Sequence, residues 1–475
     1  MDYSLLVPEF VLAALAFLIV GLELTMPRLR KEVIAYLAAG AALITLIISL
    51  FYSNVDKSFG GLLQVDNYTT FFRVLFLGIA AVVCVASAQF VRRNIGSTGE
   101  YYGLLLISTI GSIYMAAGTE LITSYISFEL LSFSLYILVS FQKRNPKSNE
   151  GGMKFMLLGA FSSALFLYGL SLLYGITGTT HYNEIASALA NRPSGLNFAL
   201  LASLVLIVTG LGFKVAAVPF HMWTPDAYEG APLPITAFLS VASKGAGFAF
   251  FLRLFSSALL PVLVDWRWMI ALLAALTMTV GNLVAIQQHN IKRLLAYSSI
   301  GQVGFLLLGI ASMSAGAASA LLFHLAGYVV TNLAAFLVVI TVFNLTGKDE
   351  IADFSGLAER APFLALALTI ALFSLAGMPL FAGFFTKFLL FQAGVQQGLL
   401  WLVVFALVNS FISLYYYLQV IKVMYLGTPE QTTRFQVPGL MNAVIGALIL
   451  GVFFIGIYPR PLLEAASNAT RLLFS

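Results

Sequence analysis

Two lysines, Lys214 and Lys244, stand inside apolar runs on either side of a segment rich in proline, aromatic and acidic residues, TGLGFKVAAVPFHMWTPDAYEGAPLPITAFLSVASKGAG at positions 209–247. An ammonium at membrane depth costs several kcal/mol unless it faces a partner, a cavity or water, so such a lysine is a candidate for ion or proton transfer. Pro219, which lacks a backbone N–H, should end or interrupt the first helix, and Pro225, Pro232 and Pro234 should keep the connection irregular. Irregular backbone at that depth is tolerated where it lines a wet cavity. Four more titratable groups fall in other apolar runs: Glu129 in SYISFELLSFSLYIL, Lys154, His324 in LLFHLAGYVVTNLAAF, and Lys387. Glu129 is deep enough in its run to need a partner. His324 fits either a neutral imidazole bonded to a neighbouring helix or a proton carrier.

Glu129, Lys154, Lys214, Lys244, His324 and Lys387, spread over an otherwise almost uncharged bundle, read as a proton path. Lysine suits that task because a desolvated ammonium releases its proton readily and regains it when a carboxylate comes near. Moving one charge across about 170 mV costs roughly 4 kcal/mol, at about 2.3 kcal/mol per 100 mV, a size that burial can match. Structural roles compete with this reading. Buried ion pairs can serve only to fix helix register. His221, Asp226 and Glu229 suit capping and bracing of the break, and Arg73 and Lys154, near helix starts, should snorkel to the interface. Asp349, Glu350, Asp353 and Glu359, with Lys348 and Arg360, read as a solvated connection.

The elements that must hold these groups follow from composition. With 60% hydrophobic and 9% charged residues over 475 positions and a mean hydropathy of +0.95, the chain lies far from the soluble range, where roughly a quarter of residues are charged. It reads as an all-α, polytopic membrane helix bundle. About 14 apolar runs can be delimited, at 4–24, 33–52, 68–90, 102–117, 120–141, 152–176, 198–218, 233–257, 268–287, 294–311, 316–345, 363–391, 400–426 and 439–458. The single cysteine, Cys84, excludes an internal disulfide, a Cys-rich iron–sulfur site or a zinc cluster, so no redox centre is expected on this chain. No phosphate loop, dinucleotide-binding glycine pattern or metal-ligand spacing occurs. Scattered basic residues without an aromatic platform give no support for nucleic-acid binding, despite a net charge of +5.

Lysine and arginine counts set the orientation. Fourteen lie in connections on one side, from Arg28 to Arg434, against five on the other, namely Lys57, Arg192, Arg267, Arg460 and Arg471. The richer side is expected inside, which leaves both termini outside. Residues 376–387, AGMPLFAGFFTK, echo the central segment by placing Gly377 and Pro379 within a span and Lys387 beyond them. The two breaks are five spans apart, as in inverted repeats built on broken helices, here helices 7 and 12. The expected divisions are 1–100 for three leading spans, 101–260 and 261–428 for two inverted five-helix repeats, and 429–475 for the last span and tail.

The strings GGMKFMLLGAFSSALFLYGLSLLYGITGT, VPFHMWTPDAYEGAPLPITAFLSVASKGAGF and NLVAIQQHNIKRLLAYSSIGQVGF resemble the NuoN/NdhB-type, antiporter-like subunits of respiratory complex I, over nearly the whole chain. The resemblance implies proton transfer by Glu129 as the span-5 carboxylate, with Lys154, Lys214, Lys244 and Lys387 as the lysines of spans 6, 7, 8 and 12. Hydropathy alone places Lys154 near the inner surface instead of beside Glu129. It also implies that NADH, FMN, iron–sulfur clusters and quinone reside with partner subunits, and that the partners are other membrane-arm subunits, antiporter-like and small-helix, in a lipid bilayer. The three leading spans, which the animal mitochondrial counterpart lacks, imply a bacterial-type or plastid-type protein, and a bacterial inner membrane is expected in preference to a thylakoid. The alternatives are an Mrp-type cation/proton antiporter subunit and a passive membrane scaffold.

Overall fold

The computed structural model describes residues 2–26, 28–52, 55–191, 198–428 and 433–474. Arg192, counted above among the outer basic residues, lies outside them. The leading part holds α1 (Val7–Thr25), α2 (Lys31–Leu50) and α3 (Asn67–Asn94). Then come α4 (Thr98–Ala117), α5 (Leu121–Val139), α6 (Pro146–Thr177), the short α7 (Tyr182–Ala190), α8 (Phe198–Val215) and α9 (Trp223–Gly230). The next span is composite: α10 (Leu233–Phe238), a π-helical stretch (Leu239–Ser243) and α11 (Lys244–Ser257). α12 (Leu263–Ala285), α13 (Ile291–Ala311) and α14 (Ala315–Thr346) lead to the one-turn α15 (Leu357–Arg360), then to α16 (Pro362–Ala376) and α17 (Ala382–Gln396). α18 (Leu400–Leu426), α19 (Gly439–Ile457) and the amphipathic α20 (Arg460–Thr470) complete the chain.

Among the described residues, twelve helical segments are long and apolar enough to cross a membrane. The expected run 102–117 falls in α4, and the run 363–391 is shared by α16 and α17. Helices dominate because in hydrocarbon every backbone polar group must be satisfied within the segment. One small exception lies between α2 and α3. Strands β1 (Lys57–Phe59) and β2 (Leu63–Val65) form an antiparallel hairpin around Gly60 and Gly61, whose φ values of 62° and 76° suit glycine at both turn positions.

The core runs through the middle of the chain. The most apolar stretch of Leu233–Ser257 is wholly buried and those of α13 and α14 are 94% buried, against 28% for α19. These three segments form the centre of the bundle, and α19 presents most of its surface outward.

The same local construction appears twice. Glu120 caps α5 by accepting from Ile122 N and Thr123 N, and Asn290 caps α13 by accepting from Lys292 N and Arg293 N. Each capping residue also forms an isolated antiparallel bridge to the segment beyond the following long helix, Glu120 with His181 and Asn290 with Glu350. Those long helices, α6 and α14, each have 32 residues and end on a left-handed glycine, Gly178 at φ 74° and Gly347 at φ 73°.

Two expectations need correction. Arg73 does not snorkel: it is 1% exposed and makes a two-pronged ion pair with the equally buried Glu9 of α1, at 2.7 and 2.9 Å, while donating to the Leu5 carbonyl. Its depth and the matching acid favour pairing over reach to water. The connection after Pro219 is not irregular throughout either, since Trp223–Gly230 is helical. Pro225 falls in its first turn, where the missing N–H has no intrahelical partner to lose.

Candidate functional site

α8 ends before its proline. Ala217 N donates to Gly212 O at 2.7 Å and Ala216 N to Phe213 O at 3.0 Å, with Ala216 at φ 65°. This Schellman pattern, carried by alanine instead of glycine, stops the helix at Val215, so Pro219 is not the terminator. α16 ends identically: Met378 N donates to Phe373 O, Gly377 N donates to Ser374 O, and Gly377 has φ 93°. Both helix C-termini thus present the negative end of the helix dipole at the break, with two carbonyls of each last turn satisfied by the Schellman bonds. The break after α8 is pinned by Trp223, which stacks on Phe155 at 4.2 Å and donates to Phe213 O, and by Val218 N on Thr277 Oγ1.

A lysine stands at each break. Lys214, in the last turn of α8 and 3% exposed, donates to Ser132 Oγ at 2.7 Å and lies over the Phe128 ring. Lys387 of α17, 4% exposed, reaches back across the second break to Leu375 O at 2.8 Å and lies over the Phe305 ring. Between them Lys244, fully buried at the start of α11, donates to Ser299 Oγ of α13. Ser299 is 2.6 Å from the Tyr328 hydroxyl, which donates to Ser240 O in the π-helical stretch. None of the three lysines forms an ion pair among the described residues. Their hydrogen bonds go to neutral groups, which hold an ammonium in place without a formal counter-ion.

Glu129 lies on α5, three residues from Ser132 and therefore on the same face as the acceptor of Lys214. It accepts from Ser163 Oγ of α6, and Ser163 also bonds Tyr125. No direct bond joins Glu129 to Lys214. His324 of α14 bonds Thr386 of α17 through Nδ1 at 2.9 Å, while its buried Nε2 has no partner among the described residues. Thr386 is the residue before Lys387, so His324 and Lys387 share one stretch of α17.

Lys154 stands apart from this line. It is 46% exposed near the start of α6, paired with Asp226 at 2.8 Å and Glu150 at 2.7 Å, and the structure does not bring it to Glu129. Arg293 of α13 binds Asp226 and Glu229, both at 2.9 Å, and Lys147 binds Glu229 at 2.7 Å. Burial pushes the Asp226 and Glu229 carboxyls up, but the hydrogen bonds and charges of their cationic partners outweigh it and hold both below the usual carboxylate range. These acids brace α9 against α6 and α13, as expected for the loop acids.

Sequence reading passed over the neutral partners Ser132, Ser163, Ser299 and Tyr328, and Gln302 of α13, which donates to Leu375 O at 3.0 Å. A signal existed: Ser132 follows Glu129 at helical spacing, and Ser299 and Gln302 repeat that spacing on α13.

The chain matches the family described as NADH:quinone oxidoreductase/Mrp antiporter, transmembrane, over residues 118–413. It belongs to that family. Among individual relatives, the NADH-quinone oxidoreductase subunit N of Moorella thermoacetica is 43% identical over 475 residues, covering 100% of this chain and 99% of that protein. A chain of respiratory complex I from Thermus thermophilus superposes with a TM-score of 0.82 at 31% identity, over 97% of this chain and 99% of the other. A chain of the Mrp complex of Dietzia sp. DQ12-45-1b reaches a TM-score of 0.85 at 20% identity, over 100% of this chain and 98% of its own, a likeness of fold alone.

Proposed function

We propose that this chain is the N-type membrane-arm subunit of a proton-translocating NADH:quinone oxidoreductase, and that it moves protons along Lys214, Lys244 and Lys387 while partner subunits carry NADH, FMN, iron–sulfur and quinone chemistry. The observation that carries the reading is the set of three lysines, none more than 4% exposed, each held by a hydroxyl or carbonyl oxygen and none by a carboxylate. A purely structural lysine would be paired, since an unpaired buried charge is expensive. An ammonium that must gain and lose a proton needs neutral partners that tolerate both forms. Glu129, on the face of α5 that receives Lys214, supplies the charge that favours protonation. His324 extends the line toward Lys387. Lys154, at the inner rim, fits proton entry better than direct exchange with Glu129.

The two capped and bridged units fit inverted repeats at 101–260 and 261–428. The basic side faces the bacterial cytoplasm and both termini face outward. Because Cys84 is buried, cysteines introduced at Lys422 and Arg471 give clean labels. Only Arg471→Cys should react from the outside of oriented vesicles, and reaction of both from one side would contradict this orientation.

The functional test is proton uptake during quinone reduction by the assembled complex in proteoliposomes. Lys244→Met should assemble and lose coupled uptake. Pumping at the wild-type rate would overturn the reading and favour a passive scaffold, and sodium-dependent exchange without quinone reduction would favour an Mrp-type antiporter.

A further inference from the structure

A large cavity lies away from Lys214, Lys244 and Lys387. It is a groove of about 950 Å³ where α1, α4 and the end of α5 meet the connection that follows α5. From Ser97 to Ile107 it follows α4 for about 15 Å, at 1.5 Å per residue. That is half of the roughly 30 Å hydrocarbon thickness of a bilayer, the depth of one leaflet. Its walls change character along this length. The deep part is apolar, with Phe17, Val20, Leu104, Ile107 and Ile137, whereas the rim carries Asn94, Ser97, Gln142, Lys143, Arg144 and Asn145.

The rim charges favour an anion. Lys143 and Arg144 form no ion pair among the described residues, and Lys31 adds a third cation where its ammonium donates to the carbonyl of Ile95, itself in the groove wall. Glu100 opposes them as the one acid in the lining. The rim lies on the lysine- and arginine-rich side of the bundle, where anionic headgroups attract basic residues.

We propose that this groove is a binding site for one anionic diacyl phospholipid, with its phosphate at Lys143 and Arg144 and an acyl chain along Leu104, Ile107 and Ile137. An apolar wall one leaflet deep beneath a cationic rim matches the two ends of such a lipid. A soluble anion would use the rim and leave the wall exposed. The site is distinct from the proton path, since none of its lining residues is a hydrogen-bond or ring partner of Lys214, Lys244 or Lys387.

The probe is phosphatidylglycerol with a diazirine in its acyl chain, added to the assembled complex, photolysed and mapped by peptide mass spectrometry, with unlabelled phosphatidylglycerol or phosphatidylcholine as competitor. Adducts are expected on the α4 and α5 peptides that carry Leu104, Ile107 and Ile137, displaced by phosphatidylglycerol in preference to phosphatidylcholine. Lys143→Gln with Arg144→Gln should weaken that competition about 30-fold, at about 1 kcal/mol per basic residue. Glu100→Gln should strengthen it. Ile137→Trp, which fills the wall and keeps the rim charges, should lower labelling by either lipid. Absence of adducts at these peptides, equal competition by both lipids, or unchanged competition in the double variant would overturn the proposal. So would cross-linking of position 143 to another subunit in place of lipid labelling.

Discussion

Lys387 and Gln302 donate to the same acceptor: the carbonyl oxygen of Leu375 receives Lys387 Nζ at 2.8 Å and Gln302 Nε2 at 3.0 Å. That carbonyl is in the last turn of α16, where no intrahelical N–H reaches it and where the helix dipole is negative. The half-helix end thus stands in for a counter-charge to Lys387, and Gln302 ties it to α13, the helix that also supplies Ser299 to Lys244.

Gln302→Leu should therefore leave Lys387 in place but alter its site. The loss of one neutral hydrogen bond, worth about 0.5–1.5 kcal/mol, should slow coupled proton uptake by roughly 2- to 12-fold. Lys387→Met should abolish it. Uptake rates in matched proteoliposomes, normalised to assembled complex, check both, and a Gln302→Leu variant as severe as Lys387→Met would contradict the ranking.

The two breaks make opposite predictions about glycine. Ala216 holds a left-handed conformation that favours glycine, so Ala216→Gly should stabilise the complex by about 1 kcal/mol. Gly377→Ala should destabilise it by at least about 1 kcal/mol, because a left-handed alanine is strained and its Cβ would stand 3.3 Å from Lys387 Cδ. Midpoint temperatures at one heating rate should rise for the first and fall for the second.

How far these features were legible in the sequence depends on whether their cause is local. The lysines were legible because a charge inside an apolar run stands out whatever surrounds it, and Gly377 marked the second break because its role lies in its own backbone. The first break was attributed to Pro219, since an alanine in the left-handed region leaves no compositional trace. Arg73 was misread for a different reason. Its partner Glu9 is distant in sequence, and only the packing of α1 and α3 against α2 and α4 brings a matching acid to its depth. The π-helical turn before Lys244 was invisible because LSVAS carries no breaker, and tertiary contacts such as Tyr328 on Ser240 O set its backbone.

The ionic brace on α9 should be acid-labile. Asp226 and Glu229 have carboxyls held below the usual range, so their contribution to stability is fully present above about pH 4, the unfolded carboxylate range, and is lost as pH falls through their depressed values. Unfolding midpoints of the complex should thus fall more steeply below about pH 4 in the wild type than in Asp226→Asn, which has already lost the Lys154 and Arg293 partnership. Equal slopes would show that the brace does not contribute.

The central claim is that Glu129 and Lys214 act on one proton path, joined through the shared face of α5 and without a direct bond. The most direct measurement is the number of protons taken up per quinone reduced by assembled wild-type, Glu129→Gln, Lys214→Met and double-variant complexes in proteoliposomes. Each single variant should lose most coupled uptake, and the double variant should be little worse than either, because groups acting in one path are not additive. Near-wild-type uptake in fully assembled Glu129→Gln or Lys214→Met complex would contradict the account.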